Sequence, residues 1–427
     1  MPGKMVAFRK DMSTVWCALS AFSAYFCMYA FRKPFSAGTY QGLEWYGYDY
    51  KAILVLSQLI GYTLSKFIGI KIISEFGSKS KLKFILIFIL FAWTSLLGFA
   101  VSPSVWGMLW LFANGLPLGM IWGLIFSILE GRRLTEVLAA VLSASFIVSS
   151  GIVKAVGLYL LELGMSERWM PFFTGLLFFP FLIFSLTMLG KIPSPTERDI
   201  AERSQRLPMS RADRWKYFAR YGPGLTSLLF LHLLLTGYRD FRDQFAIEIL
   251  NTLNIAEPAN LWLPELFVGF GVLAILGLFS FIKSHGRALF YVQIVMLLGV
   301  ALTAFITILF LNPHLFGRVP PVYWFTLTGL GLYAAYVPFH SILFERFVAK
   351  YKIHGNSGFL IYLADSTGYL GTLIVLLVKI FYSDKLSAFN FFINFTYLFM
   401  LVCPFCLFYS IYYFSLKNKF LHKNANP

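Results

Sequence analysis

Apolar residues in this chain gather into runs of roughly 20, separated by short clusters of charged and turn-forming residues. That is the length a helix needs to cross a bilayer. Bounded by charges and turns, the runs fall at 14–40, 52–73, 84–102, 105–130, 135–162, 168–190, 222–247, 260–282, 288–311, 320–345, 356–380 and 389–416. Twelve transmembrane helices are therefore expected. The first is carried through Arg32 and Lys33, so that Tyr25, Tyr29, Arg32, Ser36 and Thr39 follow one another at spacings of 4, 3, 4 and 3, on one helical stripe.

The polar segments between the runs set the orientation. One alternate set of segments, the two termini included, carries 25 Lys and Arg, and the other carries only Lys51, Arg168, Arg318 and Lys385. Cytoplasmic loops hold the excess of basic residues, so both termini and the long 191–220 segment are expected on the cytoplasmic side, in a plasma membrane of the bacterial inner-membrane kind. Residues 191–221 read as a linker with a helical piece on the membrane surface, because acids and arginines alternate there. They divide the chain into an N-terminal half, 1–190, and a C-terminal half, 222–427.

Composition sharpens this. Of 427 residues 58% are hydrophobic and 13% charged, with 47 Phe, which excludes a soluble enzyme, a disordered chain and a small disulfide scaffold. The formal charge of +16 follows from the loop bias and needs no nucleic acid to explain it. Cys17 and Cys27 lie in the first run and Cys403 and Cys406 in the last, where packing is the simplest role. The first run has no small-residue cleavage site and is read as a retained helix.

An internal repeat is visible. Ser127-Ile128-Leu129-Glu130-Gly131-Arg132 answers Ser341-Ile342-Leu343-Phe344-Glu345-Arg346, at an offset of 214. Phe31-Arg32-Lys33-Pro34-Phe35 answers Phe241-Arg242-Asp243-Gln244-Phe245, and Ser149-Ser150-Gly151 answers Ser366-Thr367-Gly368. Three matches in order predict two parallel, pseudo-symmetric six-helix bundles. The fold class is thus all-α, integral to the membrane, of the major facilitator architecture.

Charges inside spans are costly and should face a cavity or a partner. Arg32 and its repeat counterpart Arg242 are read as two arms of a clamp for a planar or tetrahedral anion. Arg239 lies one turn from Arg242, Lys66 adds positive charge, and Tyr25, Tyr29 and Lys154 complete the candidate substrate site. Alternatively, Arg32 and Lys33 end a short first helix at the headgroups, and Arg239-Asp240-Phe241-Arg242-Asp243 neutralises itself. Lys154 and Asp365 either pair or serve the solute, and Asp365, Asp243 and Asp240 are candidates for ion coupling or charge pairing. Glu130, Arg132, Arg133, Glu345 and Arg346, at equivalent helix ends, are either gating salt bridges or solvated charges. His340 is either a packing residue or a cavity lining.

The stretch Tyr29-Ala30-Phe31-Arg32-Lys33 and the second-helix stretch Gly61-Tyr62-Thr63-Leu64-Ser65-Lys66-Phe67 resemble motifs of the organophosphate:phosphate antiporters. That resemblance implies that Arg32 and Arg242 bind phosphate with Lys66 nearby, and that the two halves rock about a central site. Two departures stand out. The fifth-helix histidine motif of that family is replaced by Phe146-Ile147-Val148-Ser149-Ser150, and the loop Ser74-Glu75-Phe76-Gly77-Ser78-Lys79 keeps a degraded form of the Asp-Arg loop.

The expected function is secondary transport of a small anionic, phosphate-bearing solute, by exchange or ion coupling. A proton-coupled symporter of a neutral or zwitterionic solute and a non-transporting ligand sensor are the alternatives. The expected partners are the anionic solute, the lipid bilayer, and protons or inorganic phosphate as the coupling ion. No cofactor, metal or nucleic acid is expected, the chain is expected to act as a monomer, and no motif for catalysis is found.

Overall fold

In hydrocarbon every backbone N–H and C=O must be satisfied within the protein, so uninterrupted apolar runs fold as helices. The computed structural model describes residues 2–75, 78–129, 135–192, 211–351, 357–382 and 385–423. Among them ten helical spans are long and apolar enough to cross a membrane. Two further helices stand at the first and seventh expected positions: α1 (Pro2–Tyr29), whose apolar part is Thr14–Tyr29, and α8 (Arg211–Gln244). Glu130, Arg132 and Arg133 lie outside the described residues, as does the linker over 193–210.

The helices sort into two compact units. One comprises Met1–Ser204, Arg242–Leu273 and Leu376–Phe389, and the other Gln205–Phe241, Ala274–Val375 and Asn390–Pro427.

In the first unit α2 (Tyr50–Glu75) packs closely on α4 (Gly107–Leu118). The reason is the absence of side chains at the crossing: a Cβ at Gly61 would collide with the Phe112 carbonyl, and one at Gly115 with that of Gln58. Helices in lipid associate through such small-residue contacts, since apolar burial gives no net drive there. α1 packs against α6 (Thr135–Glu162) and α7 (Met170–Gly190), and α3 (Ser78–Val101) against α4. Trp93 of α3 stacks on Phe172 and Phe179 of α7, with centroids 5.3 and 5.0 Å apart. After Gly119 and Met120 interrupt it, the α4 span continues as α5 (Ile121–Leu129). A two-stranded hairpin, β1 (Glu44–Trp45) and β2 (Tyr48–Asp49), precedes α2, while α9 (Ala246–Thr252) and most of α10 (Pro258–Gly277) complete the unit.

In the second unit α11 (His285–Leu311) packs on α13 (Pro321–Tyr336), again glycine to glycine, at Gly299 and Gly331. Beyond α12 (Pro313–Phe316) and α13 the chain makes a π-helical turn, Phe339–Leu343, directly after Pro338, and resumes as α14 (Phe344–Lys350). α15 (Ser357–Phe381) and α16 (Ala388–Lys423) follow. Tyr238 of α8 is stacked by Phe392 and Phe399 of α16, with centroids 4.7 and 4.5 Å away.

The first helix is shorter than the expected 14–40. α1 ends at Tyr29, a tight turn carries Arg32 and Lys33, and Pro34–Ala37 is a short 3-10 turn. Pro34 explains the stop, because its ring clashes with the carbonyl four residues back and it has no N–H to donate. The expected stripe therefore does not extend past Tyr29 as a helix face. Ser36 Oγ donates instead to the Lys33 carbonyl, and Thr39 N donates to Glu167 Oε1.

Candidate functional site

A helix that stops inside a membrane protein leaves carbonyls needing donors. Those after α1 are met by two buried amides. Gln58 of α2 donates to the Arg32 carbonyl at 2.9 Å and to Asn114 Oδ1 at 2.7 Å. Asn114 of α4 donates to the carbonyls of Phe31 and Ala92, both at 2.9 Å. This bracing fixes the turn that carries Arg32 and Lys33, both of which are buried. Burial at this turn differs from the alternative of side chains snorkelling to headgroups.

The Arg32 guanidinium sits 3.7 Å from the Tyr62 ring centroid and 5.9 Å from that of Tyr29. Lys66, one turn along α2, lies 5.5 Å from the same Tyr62 ring and 5.7 Å from that of Trp122. Tyr25 meets Tyr29 edge to face at 5.5 Å. Arg32, Lys66, Tyr29 and Tyr25 thus share one cluster, joined by Tyr62 and Trp122, and the negative ring faces offset part of the repulsion between the two cations.

Lys33 and Lys154 both reach Asp243, at the end of α8. Lys33 is ion-paired to Oδ2, and Lys154 Nζ donates to Oδ1 at 2.7 Å and to the Asp243 carbonyl at 2.8 Å. Ser150, one turn before Lys154 on α6, donates to Oδ1 as well. Arg242, also in the first unit, is held by Glu265 of α10 at 2.6 Å. Gly151 allows α10 in: a Cβ there would stand 2.6 Å from the Leu261 carbonyl and 2.9 Å from Glu265 Cγ. Lys51 is paired with Glu248 and donates to the Ser36 carbonyl at 2.8 Å. Burial raises the Glu248 carboxyl above its ordinary value, and Lys51 offsets only part of this.

Counting the described residues of this unit, seven Lys and Arg side chains are buried: Arg32, Lys33, Lys51, Lys66, Lys154, Arg242 and Lys379. Two buried carboxylates, Asp243 and Glu265, and the partly buried Glu248 paired with Lys51 stand against them. Desolvating a cation is expensive unless negative charge comes near it.

Among its described residues the second unit is balanced, with Arg239 and Arg346 buried against Asp240 and Asp365. Arg239 Nε and Nη2 donate to Asp240 Oδ1 at 3.0 and 2.6 Å, its Nη1 donates to the Tyr336 hydroxyl, and Thr372 donates to Asp240 Oδ2 at 2.9 Å. Asp365 of α15 bonds His340 Nε2 at 2.6 Å. Lys154 and Asp365 therefore fall in different units, each with its own partner. Arg346 lies 3.3 Å from both the Ile282 carbonyl and His285 Nδ1. Glu345, its neighbour in sequence, is half-buried.

Sequence reasoning passed over Glu265 and His232, although an acid and a histidine inside apolar spans were signal enough. Tyr62 was quoted within a motif, but its role as the ring beneath two cations depends on helix rotation. Gln58 and Asn114 carried no readable signal.

Solved structures with the same arrangement of helices cover nearly the whole chain. A D-xylose-proton symporter is 16% identical with a TM-score of 0.58, covering 93% of this chain and 96% of its own. The human organic anion transporter MFSD10 (TETRAN) is 17% identical with a TM-score of 0.50, covering 92% and 97%. The proton:xylose symporter XylE bound to 6-bromo-6-deoxy-D-glucose is 14% identical with a TM-score of 0.55, covering 92% and 95%. This chain accordingly has the major facilitator fold; at such identities the likeness concerns the fold. No curated protein matches the sequence. Residues 34–417, most of the chain, match the family described as "Family of unknown function (DUF5690)", and the chain belongs to that family.

Proposed function

We propose that this protein is a secondary transporter that moves a small anionic, phosphate-bearing solute by rocker-switch alternating access. The observation that supports it is the surplus of buried cations among the described residues of the first unit, seven against Asp243, Glu265 and the partly buried Glu248. Arg32 and Lys66, set on the Tyr62 ring, are the primary anion contacts in this reading. Arg242 is the opposing arm of the clamp, Tyr25 and Tyr29 donate hydroxyls, and Lys154 adds positive potential, while Arg239, neutralised by Asp240 in the second unit, is not assigned to the site. The likeness of the first two helices to the organophosphate:phosphate antiporters supports a phosphate group, and MFSD10 is an organic anion transporter on the same fold. Both termini face the cytoplasm in this reading, the coupling ion is inorganic phosphate or a proton, and the protein works as a monomer.

The test is thermal stabilisation of the detergent-purified protein by orthophosphate, sugar phosphates, carboxylates and sulfate, run beside Arg32→Ala. A solute that binds the native state raises its apparent stability by mass action. Stabilisation by a phosphate ester, lost in Arg32→Ala, is the expected result. An unaltered melt with every anion overturns the reading.

A second reading has its own supporting observation. The buried His340–Asp365 pair is a titratable couple within the second unit, and two of the similar structures are proton symporters. In that reading the solute is neutral or zwitterionic, Asp365 or Asp243 carries the proton, and Asn at the responsible position abolishes flux.

A further inference from the structure

We propose that His232, His340 and Asp365 form a binding site for a divalent transition-metal cation of the Zn²⁺ type. The three residues come from α8, the π-helical turn and α15, all in the second unit. One donor atom from each lies within 4.8 Å of the others, and all three side chains are buried.

His232 carries the argument. It is fully buried, its ring stacks on Tyr336 with centroids 5.1 Å apart, and it lies 5.2 Å from the His340 ring. Neither of its ring nitrogens has a hydrogen-bond partner. A neutral imidazole always presents one N–H donor and one acceptor, and leaving both unmet in an apolar interior is unfavourable. Phe339 and Tyr336 flank the ring, and neither bonds its nitrogens. A metal ion removes half of this cost outright, because it binds the acceptor nitrogen directly.

The surroundings are built to hold the ring in place. Gly368 of α15 faces it: a Cβ there would stand 3.2 Å from His232 Cδ2 and 2.5 Å from Thr236 Oγ1. His340 sits on a π-helical turn, a local departure from regular helix that is frequent at functional sites. Asp365 supplies the negative charge. The nearby cation Arg239 does not cancel it, being neutralised by Asp240 at 2.6 Å.

Two imidazoles and one carboxylate select a borderline cation over Mg²⁺ or Ca²⁺, which prefer all-oxygen shells. On binding, the 2.6 Å His340–Asp365 hydrogen bond gives way to separate bonds to the ion. Three protein ligands leave a coordination position open to water or a solute. The ion would also tie α8, the π turn and α15 together.

The experiment uses full-length protein in detergent, stripped with a chelator. Zn²⁺ is titrated against a competing chelator, and Co²⁺ is added separately to read its visible d–d bands. Wild type should bind one ion per chain and give tetrahedral Co²⁺ bands. His232→Gln and Asp365→Asn should each weaken binding on the order of 100-fold, while His314→Ala, at an exposed position, should bind as wild type does. Melting of the chelated variants verifies that they fold; should His232→Gln fail, His340→Gln takes its place. Absence of binding by folded wild type, or unaltered binding in both His232→Gln and Asp365→Asn, overturns the proposal. The readout is metal affinity alone, so its outcome is independent of the anion-transport reading.

Discussion

Lys33 and Lys154 close on the two oxygens of a single carboxylate, that of Asp243. One negative charge thus holds two buried ammonium groups that lie far apart in sequence, one after α1 and one on α6. Removing either lysine leaves Asp243 still paired, whereas removing the carboxylate leaves two like charges buried together.

Asp243→Asn should therefore destabilise the protein by about 3–5 kcal/mol, more than Lys33→Met or Lys154→Met. Replacing all three with apolar residues of similar size should recover most of the loss, because the desolvation cost disappears with the charges. Thermal melts of the four variants check this ordering. An Asp243→Asn melt equal to wild type would remove the triad from any account of stability.

Glu248 gives a pH dependence of definite sign. Lys51 binds its Oε1, while Oε2 has no hydrogen-bond partner, and burial raises the carboxyl above the ordinary 4.5. The native state then holds this proton more tightly than the unfolded chain. Its contribution to stability is fully present below pH 4.5 and declines as pH rises through the raised value. Glu248→Gln should remove that part of the slope, while lowering stability at every pH because the buried Lys51 ammonium loses its carboxylate. Melting temperatures compared between about pH 4.5 and 7 decide it; a constant difference between the two proteins across that range counts against the assignment.

Tyr62 should matter through its ring rather than its hydroxyl. With the Arg32 guanidinium 3.7 Å above its centroid, Tyr62→Phe retains the attraction and Tyr62→Leu loses it. A cation–π contact of about 1–2 kcal/mol corresponds to roughly tenfold weaker anion binding in the Leu variant alone. Orthophosphate midpoints in the thermal assay measure this. Equal midpoints for Phe and Leu would remove the ring from the anion site.

Asn114 should act on anion binding without touching the anion. Its amide supports the Phe31 and Ala92 carbonyls, and Gln58, its neighbour, supports that of Arg32. Asn114→Ala leaves buried acceptors unmet, at about 1–3 kcal/mol each. It should lower the melting temperature and weaken anion binding together. Lowered stability with unchanged anion affinity would assign Asn114 to packing alone.

Much of this molecule is readable from the chain itself. A run of some 20 apolar residues has few alternatives to a membrane helix, because the bilayer thickness and the need to satisfy backbone polar groups leave none cheaper. The membrane-spanning, all-helical class followed from that, as did the cost that singled out Arg32, Lys66, Lys154, Arg239, Arg242, Asp240, Asp243 and Asp365. Even the stop after α1 is written in Pro34, which has no N–H to donate and whose ring clashes with the carbonyl four residues back.

Partnership was decided by the tertiary structure. Lys154 is held by Asp243, Arg242 by Glu265, and Asp365 by His340. Each pairing joins separate elements of the chain, and each depends on the rotation of a helix about its axis. In lipid that rotation is set by close contacts such as Gly115 on the Gln58 carbonyl, and by breaks such as the turn after Pro338, both smaller than any periodicity resolves. Composition therefore determined that charge is buried in this protein and of which sign, and packing alone determined what each charge touches.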